Sequence, residues 1–135
     1  MAKKLILYTD GASRGNPGPA AAGWFISDET GRVIEKNGHF LGKKTNNEAE
    51  YMAMIMGLHA LKQQGATDII VRADSELLIK QILGEYRVKH PNLVPLHEQV
   101  KKLLKEFQMT HVEHVRRHLN SEADAAANRA IDEAI

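Results

Sequence analysis

The chain has no cysteine among its 135 residues. That excludes disulfide staples and thiolate metal sites, zinc ribbons included. It also lacks a long apolar run. The N-terminal stretch MAKKLILYTDG meets a charge at Asp10, too early for the core of a signal peptide or for a membrane span. The expectation is a soluble, cytoplasmic protein with no membrane partner. A surplus of one charge is missing as well. Lys and Arg number 18 against 17 Asp and Glu, a formal net charge of +1, so bulk charge does not announce a nucleic-acid partner. Positive charge gathers only locally, at Lys43–Lys44, at Arg87, Lys89 and His90, at Lys101–Lys102 with Lys105, and at Arg116–Arg117–His118. Each of these is as readily a solvated surface as a binding patch. Repeats, low-complexity tracts and linkers are absent, and the length fits one domain over residues 1–135 that can bury a core unaided. No obvious apolar patch asks for a second copy, so a monomer is expected.

What is present begins with strands. Residues 4–9 (KLILYT) read as a buried strand ending at Asp10-Gly11, and residues 11–19 (GASRGNPGP) as turn chemistry. Residues 20–28 and 32–41 read as two more strands, with DETG at 28–31 as the hairpin between them. The period then changes. Thr45-Asn46-Asn47-Glu48 matches a capping box and opens a helix from about 46 to 64, stopped by Gly65. A fourth strand covers 68–73, a second helix 75–83, a third helix 93–107, a fifth strand 110–116, and a last helix 122–135 with Ser121 as its cap. The order βββαβααβα is an α/β arrangement. A three-strand meander with strand 4 laid beside strand 1 gives a mixed five-stranded sheet of order 3-2-1-4-5, with strand 2 antiparallel and helices flanking it.

In such a sheet a site belongs where connections diverge at the carboxyl ends of strands, here strands 1 and 4. Asp10 ends the first and Asp74 the second. Neighbouring strands lie about 4.8 Å apart, so the two carboxylates face one small volume. Like charges that close need a cation between them, and a hard divalent ion with oxygen ligands fits. Other readings stand beside this one. Asp10 before Gly11 is also an ordinary turn residue, and Asp74 also suits the cap of the second helix. Glu50 continues the apolar stripe of Ala53, Met54, Gly57, Leu58 and Leu61 toward the sheet end, while Glu48 is occupied by the capping box; spacing leaves Glu50 open between solvated and functional. Asp124, in the first turn of the last helix, also suits the helix dipole.

Four segments together resemble the type 1 ribonuclease H family across essentially the whole chain. These are TDGASRGNPGPAAAG at 9–23, TNNEAEY at 45–51, ADSELLIKQI at 73–82 and NSEADAAANRA at 120–130. The resemblance implies a ribonuclease H-like fold and hydrolysis of the RNA strand of RNA–DNA hybrids, leaving 5′-phosphate and 3′-hydroxyl ends. It implies two divalent ions, Mg²⁺ or also Mn²⁺, held by Asp10, Glu50, Asp74 and Asp124. In that pattern Asp10 touches both ions, Glu50 and Asp74 serve one, and Asp124 the other. Asn16, Asn46 and Asn47 match family positions that contact the hybrid, and Gly11 and Gly15 let the backbone approach a minor groove. Their other reading is turn and cap duty.

The departures are as specific. Residues 84–92 (GEYRVKHPN) leave no room for the basic helix and loop that many relatives insert there, and Arg87, Lys89 and Lys101–Lys102 are the candidates to replace it. Glu76 stands where relatives often contact substrate through Gln. His118 lies only six residues before Asp124, where some relatives place a catalytic His on a longer loop; short-loop relatives place an Arg seven residues before that Asp, which is Arg117. Motif register favours Arg117 and proton chemistry favours His118, with the expectation leaning to His118. Rival readings are a silent hybrid-binding module, an integrase-like or junction-cutting nuclease, which would lack the TNNxxE segment, and a phosphate-binding protein, which the missing GK[ST] ending argues against.

Overall fold

Leu5 and Leu7 are fully buried while Ile6 and Tyr8 are half-buried, the period-2 pattern of a strand with one face better covered than the other. The computed structural model describes residues 1–135. The strands are β1 (Lys4–Ser13), β2 (Gly18–Ser27), β3 (Val33–Lys44), β4 (Asp68–Ala73) and β5 (Met109–His114). The helices are α1 (Asn46–Gln63), α2 (Glu76–Ile82), α3 (Val94–Leu104) and α4 (Ser121–Ala134), with a 3₁₀ turn at Arg117–Leu119 before α4. They build one five-stranded sheet of order β3-β2-β1-β4-β5. β2 runs antiparallel to both of its neighbours, and β1, β4 and β5 run parallel. The expected architecture is the observed one.

The boundaries carry two corrections that matter for the site. β1 does not end at Asp10. It pairs with β4 only through Thr9↔Ala73, but stays paired with β2 through Asp10↔Gly23 to Ser13↔Ala20. Asp10 is therefore the first residue past a fork, at which β4 has turned away into α2 and β1 continues. The turn shrinks to residues 14–17. At the other end, β5 leaves the sheet after His114, so strand parity never reaches Arg117 or His118.

α1 opens as its capping box predicts: the Thr45 side chain accepts from the Glu48 N–H, and the Glu48 carboxylate accepts from the Thr45 N–H at 3.0 Å. Its stripe of Ala53, Met54, Gly57, Leu58 and Leu61 is buried against β1 and β2. α3 packs beside α1, contributing Val100 and Leu103, with Phe107 just beyond its end. α4 covers the other face over β2, β3 and β1, burying Ala123, Ala126, Ala127 and Ile131. Both covering helices come unusually close. A Cβ on Gly11 would lie 2.3 Å from the Ala49 carbonyl carbon and the Glu50 nitrogen of α1, and one on Gly23 would lie 2.2 Å from the Ala123 carbonyl oxygen of α4. No helix is long and apolar enough to cross a membrane.

Candidate active site

Asp10 and Glu50 are buried, with 7% and 6% of their surfaces exposed, and Asp74 is half-buried. Each comes from a different element, and carboxylate oxygens of all three lie within 4.8 Å of one another. β1 supplies Asp10 just past the fork. α1 supplies Glu50 from its second turn, where the Gly11 N–H donates to Glu50 Oε1. Asp74 follows β4. The helix-cap role that Asp74 might have had falls to Ser75, whose hydroxyl accepts from the Leu78 N–H, so the Asp74 carboxylate is free for the cluster.

The electrostatics of the cluster are unfavourable as it stands. Burial is the main cause that pushes the Asp10 carboxyl far above the usual carboxylate range; the charge of Glu50, a side-chain contact with Asp124 and the charge of Asp74 add to it. Glu50 is pushed up to about 7, first by burial, with the Gly11 N–H acting against it and the charge of Asp74 adding to it. Asp124 stands outside the tight trio, exposed on the first turn of α4 but within reach of Asp10. The Asn128 side chain holds it, donating to Asp124 Oδ1 at 3.2 Å and to the Asp124 carbonyl at 3.0 Å. An all-oxygen donor set of crowded, desolvated carboxylates fits a hard divalent cation.

The polar candidates gather at one rim. Asn16 Oδ1 accepts from the Asn46 N–H at 3.0 Å, which leaves the Asn16 amide nitrogen to point elsewhere. Asn46 and Asn47 form the exposed first turn of α1, four and three residues before Glu50. Gly11 is explained differently from the expectation: it is buried, and the space that a side chain would fill holds the α1 backbone, so its small size serves the seating of the helix. Glu76 is exposed and paired with Lys80 at 2.9 Å. The Glu48 carboxyl is held low first by its bond from the Thr45 N–H, with the charges of Lys44 and of His90, on the loop between α2 and α3, adding to it. Arg87 and Lys89 on that loop are exposed.

Arg117 and His118 separate. Arg117 lies near enough for its positive charge to favour ionised Glu50. His118 is exposed and makes no hydrogen bond or ion pair, so the leaning toward it gains no contact. One residue escaped sequence reasoning altogether. Asn120 is buried between the 3₁₀ turn and α4, and its amide donates to the Thr9 carbonyl at 2.8 Å and to Asp74 Oδ2 at 3.3 Å. The neighbouring Ser121 drew attention as the cap, but Asn120 holds that position, and its side chain makes no cap bond.

Comparison with known proteins finds a family model described as reverse transcriptase-like that matches residues 8–130. The chain is 43% identical to ribonuclease HI of Halobacterium salinarum over 131 residues, covering 97% of this chain and 66% of that protein. The crystal structure of the Halobacterium RNase H1 superposes with a TM-score of 0.94 over 96% of this chain and 98% of that one. A crystal structure of LC11-RNase H1 in complex with RNA/DNA hybrid, at 38% identity, superposes with a TM-score of 0.91 over 96% of this chain and 98% of that one. A bifunctional protein of Mycobacterium tuberculosis is 40% identical over 97% of this chain, which spans only 36% of its length.

Proposed function

Since this chain belongs to the type 1 ribonuclease H family, a family of nucleases, we propose that it is an endonuclease that hydrolyses the RNA strand of RNA–DNA hybrids by a two-metal-ion mechanism. The observation that carries the reading is the convergence of Asp10, Glu50 and Asp74 within 4.8 Å, with Asp124 beside Asp10. The three-plus-one grouping suits a pair of ions with Asp10 common to both. Mg²⁺ is the natural occupant and Mn²⁺ an alternative. Bound there, two such ions would activate a water and stabilise the departing 3′-oxygen of an in-line displacement, leaving 5′-phosphate and 3′-hydroxyl ends.

The chain's own residues supply the rest. The four carboxylates hold and orient the ions, and the Gly11 N–H fixes the Glu50 carboxylate that it touches. Arg117, near Glu50, offsets negative charge on the phosphate side, and it does so without exchanging a proton, because a guanidinium stays charged. His118 is the alternative assistant, by proton shuttling. The Asn16 amide, turned outward by its bond to Asn46, and the exposed Asn46 and Asn47 offer donors and acceptors that can read 2′-hydroxyls in a minor groove. Gly11 serves this contact indirectly, by seating α1. One copy holds all four carboxylates, so the enzyme acts as a monomer, in the cytoplasm.

The direct test is cleavage of one labelled hybrid beside matched duplex DNA, duplex RNA and each single strand. Cutting should be confined to the RNA strand of the hybrid, require Mg²⁺ or Mn²⁺, and vanish in Asp10→Asn and Asp74→Asn. A wild-type protein that binds the hybrid but never cuts it would restore the silent binding module.

A further inference from the structure

Asn120 is fully buried beside the carboxylates, with 1% of its surface exposed. Its Nδ2 donates to the Thr9 carbonyl at 2.8 Å and to Asp74 Oδ2 at 3.3 Å. Thr9 is the last β1 residue paired with β4, and Asp10 follows it directly. Through its own backbone, Asn120 accepts the Asp124 N–H at 3.1 Å. One residue thus touches the main chain before Asp10, the side chain of Asp74 and the main chain of Asp124.

This placement costs stability in two ways. The side chain stands at the N-cap of α4 yet forgoes the cap bond, leaving helix N–H groups unserved. Its Oδ1 is buried with no hydrogen-bond partner. An asparagine selected for stability would turn to the cap. What the observed orientation secures is the aim of both N–H groups at the fork between β1 and β4.

We infer that Asn120 is a positioning residue that locks the Asp74 carboxylate and the β1 strand at Asp10 to the start of α4, keeping the metal-holding carboxylates in register. The inference rests on the carboxylate site proposed above. A hydrogen bond from outside the ligand set to a ligating group is commonly worth about 10- to 100-fold in metal affinity or activity.

The test uses the full chain and Asn120→Leu, which keeps the branched outline and removes both donors. Mn²⁺ binding is followed by calorimetry without substrate, and turnover is measured on a hybrid at saturating metal. The folded variant should bind Mn²⁺ about 10- to 100-fold more weakly. Its kcat should fall while its KM for the hybrid stays nearly unchanged, because the groove residues are untouched. Asn120→Ser, with one donor on a shorter arm, should lie between the two. Wild-type Mn²⁺ affinity and kcat in folded Asn120→Leu would overturn the inference. If that variant does not fold, wild-type values in Asn120→Ser overturn it instead. A wild-type chain that neither binds Mn²⁺ nor cuts hybrid would bring down the carboxylate site itself, a result distinct from a working enzyme indifferent to Asn120.

Discussion

Replacing Asp10 by Asn should stabilise the metal-free protein at mildly alkaline pH while abolishing cleavage. Carboxylate oxygens of Asp10, Glu50 and Asp74 lie within 4.8 Å of one another. At that separation and an effective dielectric constant of about 20, one pair of like charges costs about 3 kcal/mol. The folded protein escapes part of this cost by holding protons: burial first raises both Asp10 and Glu50, the charges of Glu50 and Asp74 add to Asp10 and that of Asp74 to Glu50, so that Glu50 is pushed up to about 7 and Asp10 further. The sign follows from proton counting. From the unfolded values near 4 up to the raised folded values, the unfolded chain binds fewer protons than the folded one, so stability falls as pH rises through that window. Asn at position 10 takes no part in this titration and relieves the repulsion on its neighbours. The gain should be about 2–3 kcal/mol near pH 8, or roughly 6–12 °C in melting midpoint for a chain of this size, and should fade toward pH 4. Calorimetric melting in a chelator, repeated across that pH range, measures it. Adding Mg²⁺ should then raise the wild-type midpoint more than the variant's, because only the native wild-type site binds tightly. A variant that melts at or below wild type near pH 8 in chelator would refute the crowding on which the site rests.

Three further expectations concern activity. Glu50→Gln should abolish hybrid cleavage, whereas Glu48→Gln should keep most of it, because Gln also completes a capping box; a dead Glu48 variant in the same cleavage assay would misplace the second carboxylate. Arg117→Ala should lower turnover by about 10²-fold, the scale of one lost electrostatic contact to developing charge. His118→Ala should lower it less, and the reverse ranking would return the assisting role to a proton shuttle. Arg87→Ala with Lys89→Ala should weaken hybrid binding in Ca²⁺ and reduce the slope of log affinity against log salt by about one to two. An unchanged slope removes that loop from the binding surface.

Much of the architecture was legible because the hydrophobic period changes cleanly. Alternation in the strands, the stripe running from Glu50 to Leu61 and the capping box at Thr45 each fix an element with a local cause, and the order of elements then leaves few ways to pair the sheet. The carboxylates were legible as a set through the segments that carry them, and spacing alone left each with an ordinary alternative. Ser75 removes one such alternative by taking the cap that Asp74 could have served. What stayed hidden depends on tertiary contact. Residues 11–13 read as turn from their small side chains, but those side chains let β1 pass beneath α1 while still paired with β2. Motif register and proton chemistry pulled apart over Arg117 and His118, and strand parity could not choose between them, because the chain leaves the sheet at His114 and coils into a 3₁₀ turn. Asn120 looked like a bystander beside a better cap, because nothing in one sequence tells which way an amide will turn.

The seating of α1 on Gly11 and of α4 on Gly23 has a consequence for how such an enzyme can diverge. Glu50 and Asp124 ride on helices pressed backbone to backbone against strands, not on loops. The carboxylates proposed to cut are therefore mechanically separate from the α2–α3 connection. Segments can be gained or lost there, retuning how tightly and how long a nucleic acid is held, while those carboxylates stay put. The fold then fixes the blade and leaves the handle open to change.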